Sequence, residues 1–383
     1  MDGQRLSRRA PGGGATRRAF LRGAAAAGVG AAIASMWDPA HLAQMRAAQA
    51  RATGAAIGAR SGRSGAWVAD GGGARGQATD GRAQMAHLLR RAGFSATPAE
   101  IDAMMPLGIA GAVDALLNYG QVPDPALDRA NGAGLDLSKS TDAIRWWLLR
   151  MIYTTRPLQE KLTLFWHGIL TSSVAKVGQR YLNTMIAQNE FLRANATSTY
   201  DVLLKGISRD PAMMVWLDLQ TSTKAHPNEN FARELQELFS LGIGNYSETD
   251  VREAARAFTG YQLDKDRHFV YNARQHDDGA KTYLGQTGNW SGDDIINIIL
   301  QQRAAAEYIA KRLWTFFAYP NPEPDVVSAL ADTFQSSNYS IATVLRQLFT
   351  MPQFYSDTAM SALIKSPAEF VVGAVRSLGL QTD

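Results

Sequence analysis

Three polar side chains share one edge of a predicted amphipathic helix and could perform acid–base chemistry. Residues 228–241 place Phe231 and further large apolar side chains on one face at helical spacing. At about 100° per residue, Glu234 borders this face, and Asn230 and Glu237 lie beside it. Partial burial disfavours an ionised carboxylate and raises its pKa, as a general acid or base requires. We therefore predict Glu234 as catalytic, with Asn230 and Glu237 in substrate binding.

The same helix also fits a purely structural role. Arg233 lies four residues from both Glu229 and Glu237, which is the spacing of helical ion pairs. Glu234 could in turn pair with an arginine of another helix, and such buried pairs hold helices in register without doing chemistry. Arg233 joins the predicted binding residues in the functional interpretation, and the sequence leaves both interpretations open.

His167 is the second predicted catalytic residue. On a helix that begins at Pro157, His167 shares a face with Glu160 and Thr163, opposite an apolar stripe. A histidine beside a carboxylate and a hydroxyl can relay protons or bind a metal ion. The alternative is a histidine that only donates a hydrogen bond to a neighbouring helix.

A possible metal site is indicated in a predicted loop by His276 and Asp277. Imidazole and carboxylate ligands suit Zn, Mn or Fe, so a divalent metal is the candidate cofactor. The alternative is that Asp277 only stabilises a turn. No segment has HExxH spacing, a GxSxG elbow, a Walker loop or a GxGxxG fingerprint, so further ligands would have to come from distant segments.

Composition excludes several classes of protein. The chain has 383 residues, of which 46% are hydrophobic and 19% charged, which is typical of a globular protein. Because it has no cysteine, disulfides, a thiolate nucleophile and cysteine-ligated metals are excluded. The net charge is +4, but residues 1–34 hold six arginines and one acid, so the remainder is close to neutral. We therefore expect no nucleic-acid partner.

The N-terminus has the pattern of a twin-arginine export signal. Arg17 and Arg18 are followed by Phe20 and Leu21 and then by a short run rich in alanine and glycine. This run is too short and too weakly apolar for a stable transmembrane span. We predict that residues 1–34 are a signal peptide recognised by the twin-arginine translocation machinery, with the protein in the periplasm, cell envelope or medium. The alternative is a basic tail on a cytoplasmic protein.

The remaining chain divides into a predicted linker and a helical body. Residues 35–81 are rich in alanine, glycine and arginine and have too few bulky apolar residues to form a core. From residue 82 to 383 the apolar residues recur at helical spacing, and capping boxes begin at Thr97 and Ser366. Only residues 268–272 look like a strand, which could pair with residues 281–284. The predicted fold is mainly α, a multi-helix globular body with at most a short β-hairpin.

Several motifs in this body resemble the bacterial DUF1800 family. They are AHLLRRAGF (residues 86–94), LQEKLTLFWHG (158–168), DPAMM (210–214), NENFAREL (228–235), the segment 250–260, and His276-Asp277 with Lys281 and Leu284-Gly285. The resemblance runs in order from about residue 82 to 379. It implies an exported, largely helical protein without an assigned reaction, whose genes often neighbour those of sulfatase-like exported proteins. Family members usually continue into a segment resembling Pro-Pro-Asn-Val-x-Gly-Trp, so the resemblance implies either a shortened member of the family or a fragment of a longer chain.

Two functions remain compatible with the sequence. The first is a metal-assisted hydrolase that acts on envelope or extracellular polymers, with Glu234 as acid or base and His167, His276 and Asp277 as ligands or relays. The second is a non-catalytic envelope protein that binds or assembles with a co-exported partner, for which a sulfatase-like protein is the candidate.

Overall fold

The computed structural model describes residues 81–382, which are mainly α-helical, as predicted. The first helices are α1 Gly81–Ala92, α2 Pro98–Met104, α3 Gly108–Leu117, α4 Ala126–Asn131, α5 Ser140–Tyr153, α6 Pro157–Ile169, α7 Val174–Val177, α8 Leu182–Ala194, α9 Tyr200–Ser208 and α10 Pro211–Trp216. They are followed by α11 Glu229–Glu234, a π-helical turn Leu235–Ser240, and α12 Glu248–Ala257.

Two hairpins separate these helices from the C-terminal group. The strands are β1 Tyr261–Leu263, β2 Phe269–Tyr271, β3 Lys281–Tyr283 and β4 Gln286–Gly288. The last helices are α13 Gly292–Gln301, α14 Arg303–Phe317, α15 Pro324–Ser336, α16 Ile341–Thr350, α17 Asp357–Met360 and α18 Pro367–Ser377. Short 3₁₀ turns lie at Met105–Leu107, Tyr119–Gln121, Gln179–Tyr181, Leu219–Thr221, Ala273–Gln275 and Pro352–Tyr355.

The predicted pairing of the strand-like segments is wrong. β2 pairs antiparallel with β1, and β3 pairs with β4, so residues 268–272 and 281–284 belong to different hairpins. The second hairpin closes through Leu284 and Gly285, whose φ angles of 45° and 80° are both positive. A two-residue turn of this kind matches the natural twist of paired strands. β3 therefore pairs with β4, the next strand along the chain.

Helix α6 lies at the centre of the fold. It is contacted by α1, α3, α5 and α8, so its whole circumference is covered. The Trp166 indole N–H donates to the Ala196 carbonyl at 2.9 Å, and its ring stacks on Tyr200 with centroids 5.6 Å apart. The sequence left sugar stacking open for Trp146, Trp147, Trp166 and Trp216, but all four are buried.

A buried ion pair joins α6 to α18. Lys161, 1% exposed, donates to the Glu369 carboxylate and lies about 5 Å from the ring centres of Phe94 and Phe316. Burial lowers the pKa of Lys161 to about 8. Burial alone would raise the pKa of Glu369, but the adjacent Lys161 ammonium lowers it to about 2. The pair therefore stays ionised at neutral pH and fixes the last helix to the centre of the fold.

Several predictions concern residues outside the described range. The signal peptide at residues 1–34, with Arg17 and Arg18, and the linker up to residue 80 lie there, whereas Gly81 begins α1. Among residues 81–382, no helix has the length and apolar character needed to cross a bilayer.

Candidate functional site

Glu234 is the last residue of α11 and is buried, with 7% of its surface exposed. Asn228 is the N-cap of this helix, and its side chain accepts a hydrogen bond from the backbone N–H of Asn230 at 2.9 Å. Phe231 and Leu235 lie in the core at 0% exposure and draw this side of the helix inward. The carboxylate of Glu234 is therefore held at the edge of the main hydrophobic core.

The helix widens directly after Glu234. Residues Leu235–Ser240 form a π-helical turn, whose i→i+5 hydrogen bonds displace backbone carbonyls from their regular partners. Side-chain hydroxyls satisfy such groups: Tyr308 donates to the Leu238 carbonyl at 2.6 Å, and Ser240 donates to the Leu235 carbonyl at 2.5 Å. Single π turns occur often at functional sites.

An exposed polar cluster lies one helical turn from Glu234. The Asn230 amide donates to Asp218 Oδ2 at 3.3 Å, and the Lys176 ammonium donates to the same oxygen at 2.6 Å. Lys176 also donates to the Trp216 carbonyl at 2.8 Å. Asp218 has a left-handed backbone with φ 60°, a conformation that aspartate tolerates better than most residues. We call this group the Lys176–Asp218–Asn230 cluster.

The other two predicted binding residues are held in contacts of their own. Arg233 donates to Glu248 at 2.7 and 2.8 Å and to Glu229 at 3.1 Å, and its hydrogen bonds with Glu248 raise its pKa. Glu237 accepts a hydrogen bond from the Tyr246 hydroxyl at 3.1 Å. Because the π turn separates Glu237 from α11, the regular helical angles that placed it beside Glu234 do not apply. The binding roles of both residues stay predictions.

His167 lies on α6 with 3% of its surface exposed. Its ring packs edge-to-face against Trp147, with centroids 5.2 Å apart. The polar face predicted for this helix exists, but Glu160 and Thr163 are each 0% exposed, so it is an internal face. A helix covered on every side must satisfy its polar groups within the protein.

Glu160 is the centre of a buried ion-pair cluster. The Arg193 guanidinium donates to its two carboxylate oxygens at 2.6 and 3.1 Å, and Arg150 Nε lies 3.6 Å from Oε1. The Trp147 indole N–H also donates to Glu160 at 3.0 Å, while Glu190 contacts both arginines. The cluster joins α5, α6 and α8. It is a structural glutamate–arginine pairing of the kind that the sequence left open for Glu234, but it is formed by Glu160.

A second buried polar chain runs from the end of α6 to α10. The Ser172 hydroxyl donates to Gln188 Oε1 at 2.6 Å, and Gln188 Nε2 donates to Asp210 Oδ1 at 2.6 Å. The same oxygen caps α10 by accepting the Met213 N–H at 2.8 Å. Burial raises the pKa of Asp210 from 3.8 to about 7. This polar chain was not predicted from the sequence, although Asp210 before Pro211 is a recognisable helix start.

The raised pKa of Asp210 predicts a specific loss of stability with rising pH. Between about pH 4 and 7 the folded state holds a proton on Asp210 that the unfolded chain has released, so the contribution of Asp210 to stability is greatest below this window and falls across it. Asp210→Asn keeps the oxygen acceptor and has no proton to lose. Burial of His87 lowers its pKa to about 4, which adds stability with rising pH over much of the same window, so the informative quantity is the difference between the two proteins. In urea titrations, Asp210→Asn should gain on the order of 3 kcal/mol relative to wild type between about pH 4 and 7.

The matched control for this experiment is Asp266→Asn, which removes an exposed carboxylate in the turn between β1 and β2. It should reproduce the pH dependence of the wild type. A parallel pH dependence for wild type and Asp210→Asn would contradict the assignment to Asp210.

His276 and Asp277 do not fit a metal centre in this arrangement. His276 Nδ1 lies 2.9 Å from the Thr259 carbonyl oxygen. Arg256 donates to both Asp277 oxygens, at 2.7 and 3.2 Å, and its hydrogen bond to Asp277 lowers the pKa of that carboxyl. Within residues 81–382 no three histidine or acidic side chains are grouped as metal ligands. We therefore derive no catalytic step through a metal at this pair.

The fold and the site together define a mainly helical protein with a buried carboxylate at the junction of an α-helix and a π turn. The sequence model of DUF1800, described as a protein of unknown function, matches residues 87–383. The chain belongs to the DUF1800 family. No curated protein and no solved structure matches it.

Proposed function

We propose that this protein is exported and hydrolyses a polymer of the cell envelope, with Glu234 as the proton-transferring residue. The observation that carries the proposal is the burial of Glu234 at the start of the π turn, one helical turn from exposed polar side chains. A carboxylate at the border between core and solvent can exchange a proton with a substrate and remain fixed in position. Export is supported by Arg17 and Arg18 and by the residues around them.

The residues of the site can be assigned separate roles in this reaction. Glu234 would accept a proton from the attacking water and return it to the leaving group as the bond to that group breaks, so the carboxylate is regenerated. Lys176 and Asn230 would hydrogen-bond polar groups of the polymer, because Asp218 holds both side chains at the surface beside α11. His167, which is buried on α6, keeps the catalytic role predicted from the sequence as a separate part of the proposal.

A product-release assay of the purified protein tests this proposal. Isolated bacterial cell-wall polymer is incubated with the protein, and new reducing ends, acetate, phosphate and sulfate are each quantified. We expect one of these products to accumulate in proportion to protein concentration. Release of none of them by folded protein would contradict the proposal.

A second candidate function is a non-catalytic envelope protein that assembles with a co-exported, sulfatase-like partner. It is favoured by apolar side chains that remain exposed in and around α18, namely Ile364, Phe370, Leu378 and Leu380. This alternative predicts no product release. It also predicts that Phe370→Ser weakens binding of the purified partner, whereas Glu234→Gln does not.

A further inference from the structure

A cleft of about 400 Å³ lies far along the chain from Glu234, between α9, α13 and the end of α15. Four neutral amide side chains line it together with one carboxylate and one aromatic ring. These residues are Asn297, Gln301, Gln335, Asn338, Asp201 and Tyr339. We call it the amide cleft.

The wall of the amide cleft is a strained turn. Asn338 and Tyr339 are consecutive residues in the left-handed region, with φ angles of 53° and 58°. This conformation is unfavourable for a bulky side chain such as tyrosine. The Tyr200 N–H donates to the Tyr339 carbonyl at 3.0 Å, and the Ile341 N–H donates to the Ser198 carbonyl at 3.0 Å. The surrounding structure therefore holds the strain in place, as is common at ligand sites.

Tyr339 is an unexplained polar group at this position. It is 5% exposed and stacks on Phe334 with centroids 5.7 Å apart. Within residues 81–382 its buried hydroxyl has no hydrogen-bond partner. Leaving a buried hydroxyl unpaired costs free energy, so each such group calls for a physical explanation.

The amide side chains of the cleft have donor and acceptor groups that remain available to a ligand. Asn297 and Asn338 are exposed, so their side-chain amides are accessible to a ligand in the cleft. Gln301 Oε1 accepts from Gln286 at 2.9 Å and Gln335 Oε1 accepts from Arg303 at 3.0 Å, which leaves the NH₂ group of each glutamine as a donor. Donors and acceptors thus lie side by side around the cleft.

We propose that the amide cleft binds a neutral saccharide. Sugar hydroxyls both donate and accept hydrogen bonds, which matches paired amide oxygens and NH₂ groups. Among residues 81–382 no basic side chain lines the cleft, and the adjacent Arg303 and Lys205 are already paired with carboxylates, so an anionic polymer finds no uncompensated positive charge there. A peptide is less well matched, because the described residues give the cleft neither a strand edge for pairing nor more than one aliphatic side chain, Leu300. The proposal is independent of the reaction at Glu234.

Calorimetric titration of the full chain tests it, with cellotetraose, maltotetraose and the N-acetylglucosamine tetramer as probes. We expect at least one to bind with Kd of about 1 mM or tighter. Asn338→Gly is the most informative variant, because glycine adopts the positive φ freely and only the amide is lost. It should fold normally and bind at least about fivefold more weakly, and Asn297→Ala should do the same.

The matched control is Gln121→Ala, which removes an exposed amide outside the amide cleft and should leave the affinity unchanged. A neutral tetrapeptide serves as the competing ligand. Binding of none of the three saccharides, equal affinity of Asn338→Gly and wild type, or equally tight binding of the peptide would each overturn the proposal.

Discussion

Replacing Glu160 with glutamine is expected to lower the free energy of unfolding by about 3–5 kcal/mol. The substitution preserves shape but removes the negative charge that Arg193 and Arg150 share at 0% exposure. Among the described residues, Arg193 would then remain buried with only the half-exposed Glu190 as an acidic partner. Urea denaturation followed by circular dichroism measures the change.

Glu248→Gln is the matched control for this variant. Glu248 also pairs with an arginine, Arg233, but 67% of its side chain is exposed. Water and salt screen such a pair, so its removal should cost far less stability than the removal of Glu160. If the two substitutions destabilise the protein equally, the Glu160 cluster does not hold the helices together as described.

The helices could be predicted from the sequence largely because their start signals are local. At Ser291 and Ser366 the side-chain hydroxyl and the acid three residues later form complete capping boxes. Each box needs only four consecutive residues, so no tertiary information is required. The same applies to Asn228 at the start of α11.

The buried ion pairs could not be predicted in this way. Arg193 is 33 residues from Glu160, and Glu369 is 208 residues from Lys161, so only the folded chain brings them together. The sequence singled out Glu160 only as a neighbour of His167. The signal available in the sequence was arginine at core-facing positions of α5 and α8. A buried guanidinium needs an acidic partner, so these arginines indicated a buried acid on a neighbouring helix.

The region around Glu234 could be predicted from the sequence only as far as the regular helix extends. Its position at the edge of the core followed from helical periodicity, because α11 is regular up to that residue. The π turn that follows was not predictable from periodicity, since it depends on hydroxyl groups of Tyr200 and Tyr308 from distant helices. The contact of Asn230 with Asp218 likewise needs a left-handed residue outside the helix.

Glu234→Gln has the largest expected effect on activity. Glutamine has nearly the same shape as glutamate but cannot transfer the proton, so turnover should fall by about 10²–10⁴-fold. The control is Glu229→Gln on the same helix, which removes an exposed carboxylate and should keep turnover within about twofold of wild type.

The catalytic role of Glu234 is tested most directly by the initial rate of product release from cell-wall polymer. The rate and the melting temperature are measured for wild type, Glu234→Gln and Glu229→Gln. We expect turnover to be lost in Glu234→Gln alone, and the melting temperatures of the three proteins to agree within about 3 °C. Full turnover in Glu234→Gln, or loss of activity that only accompanies unfolding, would contradict a catalytic role for Glu234.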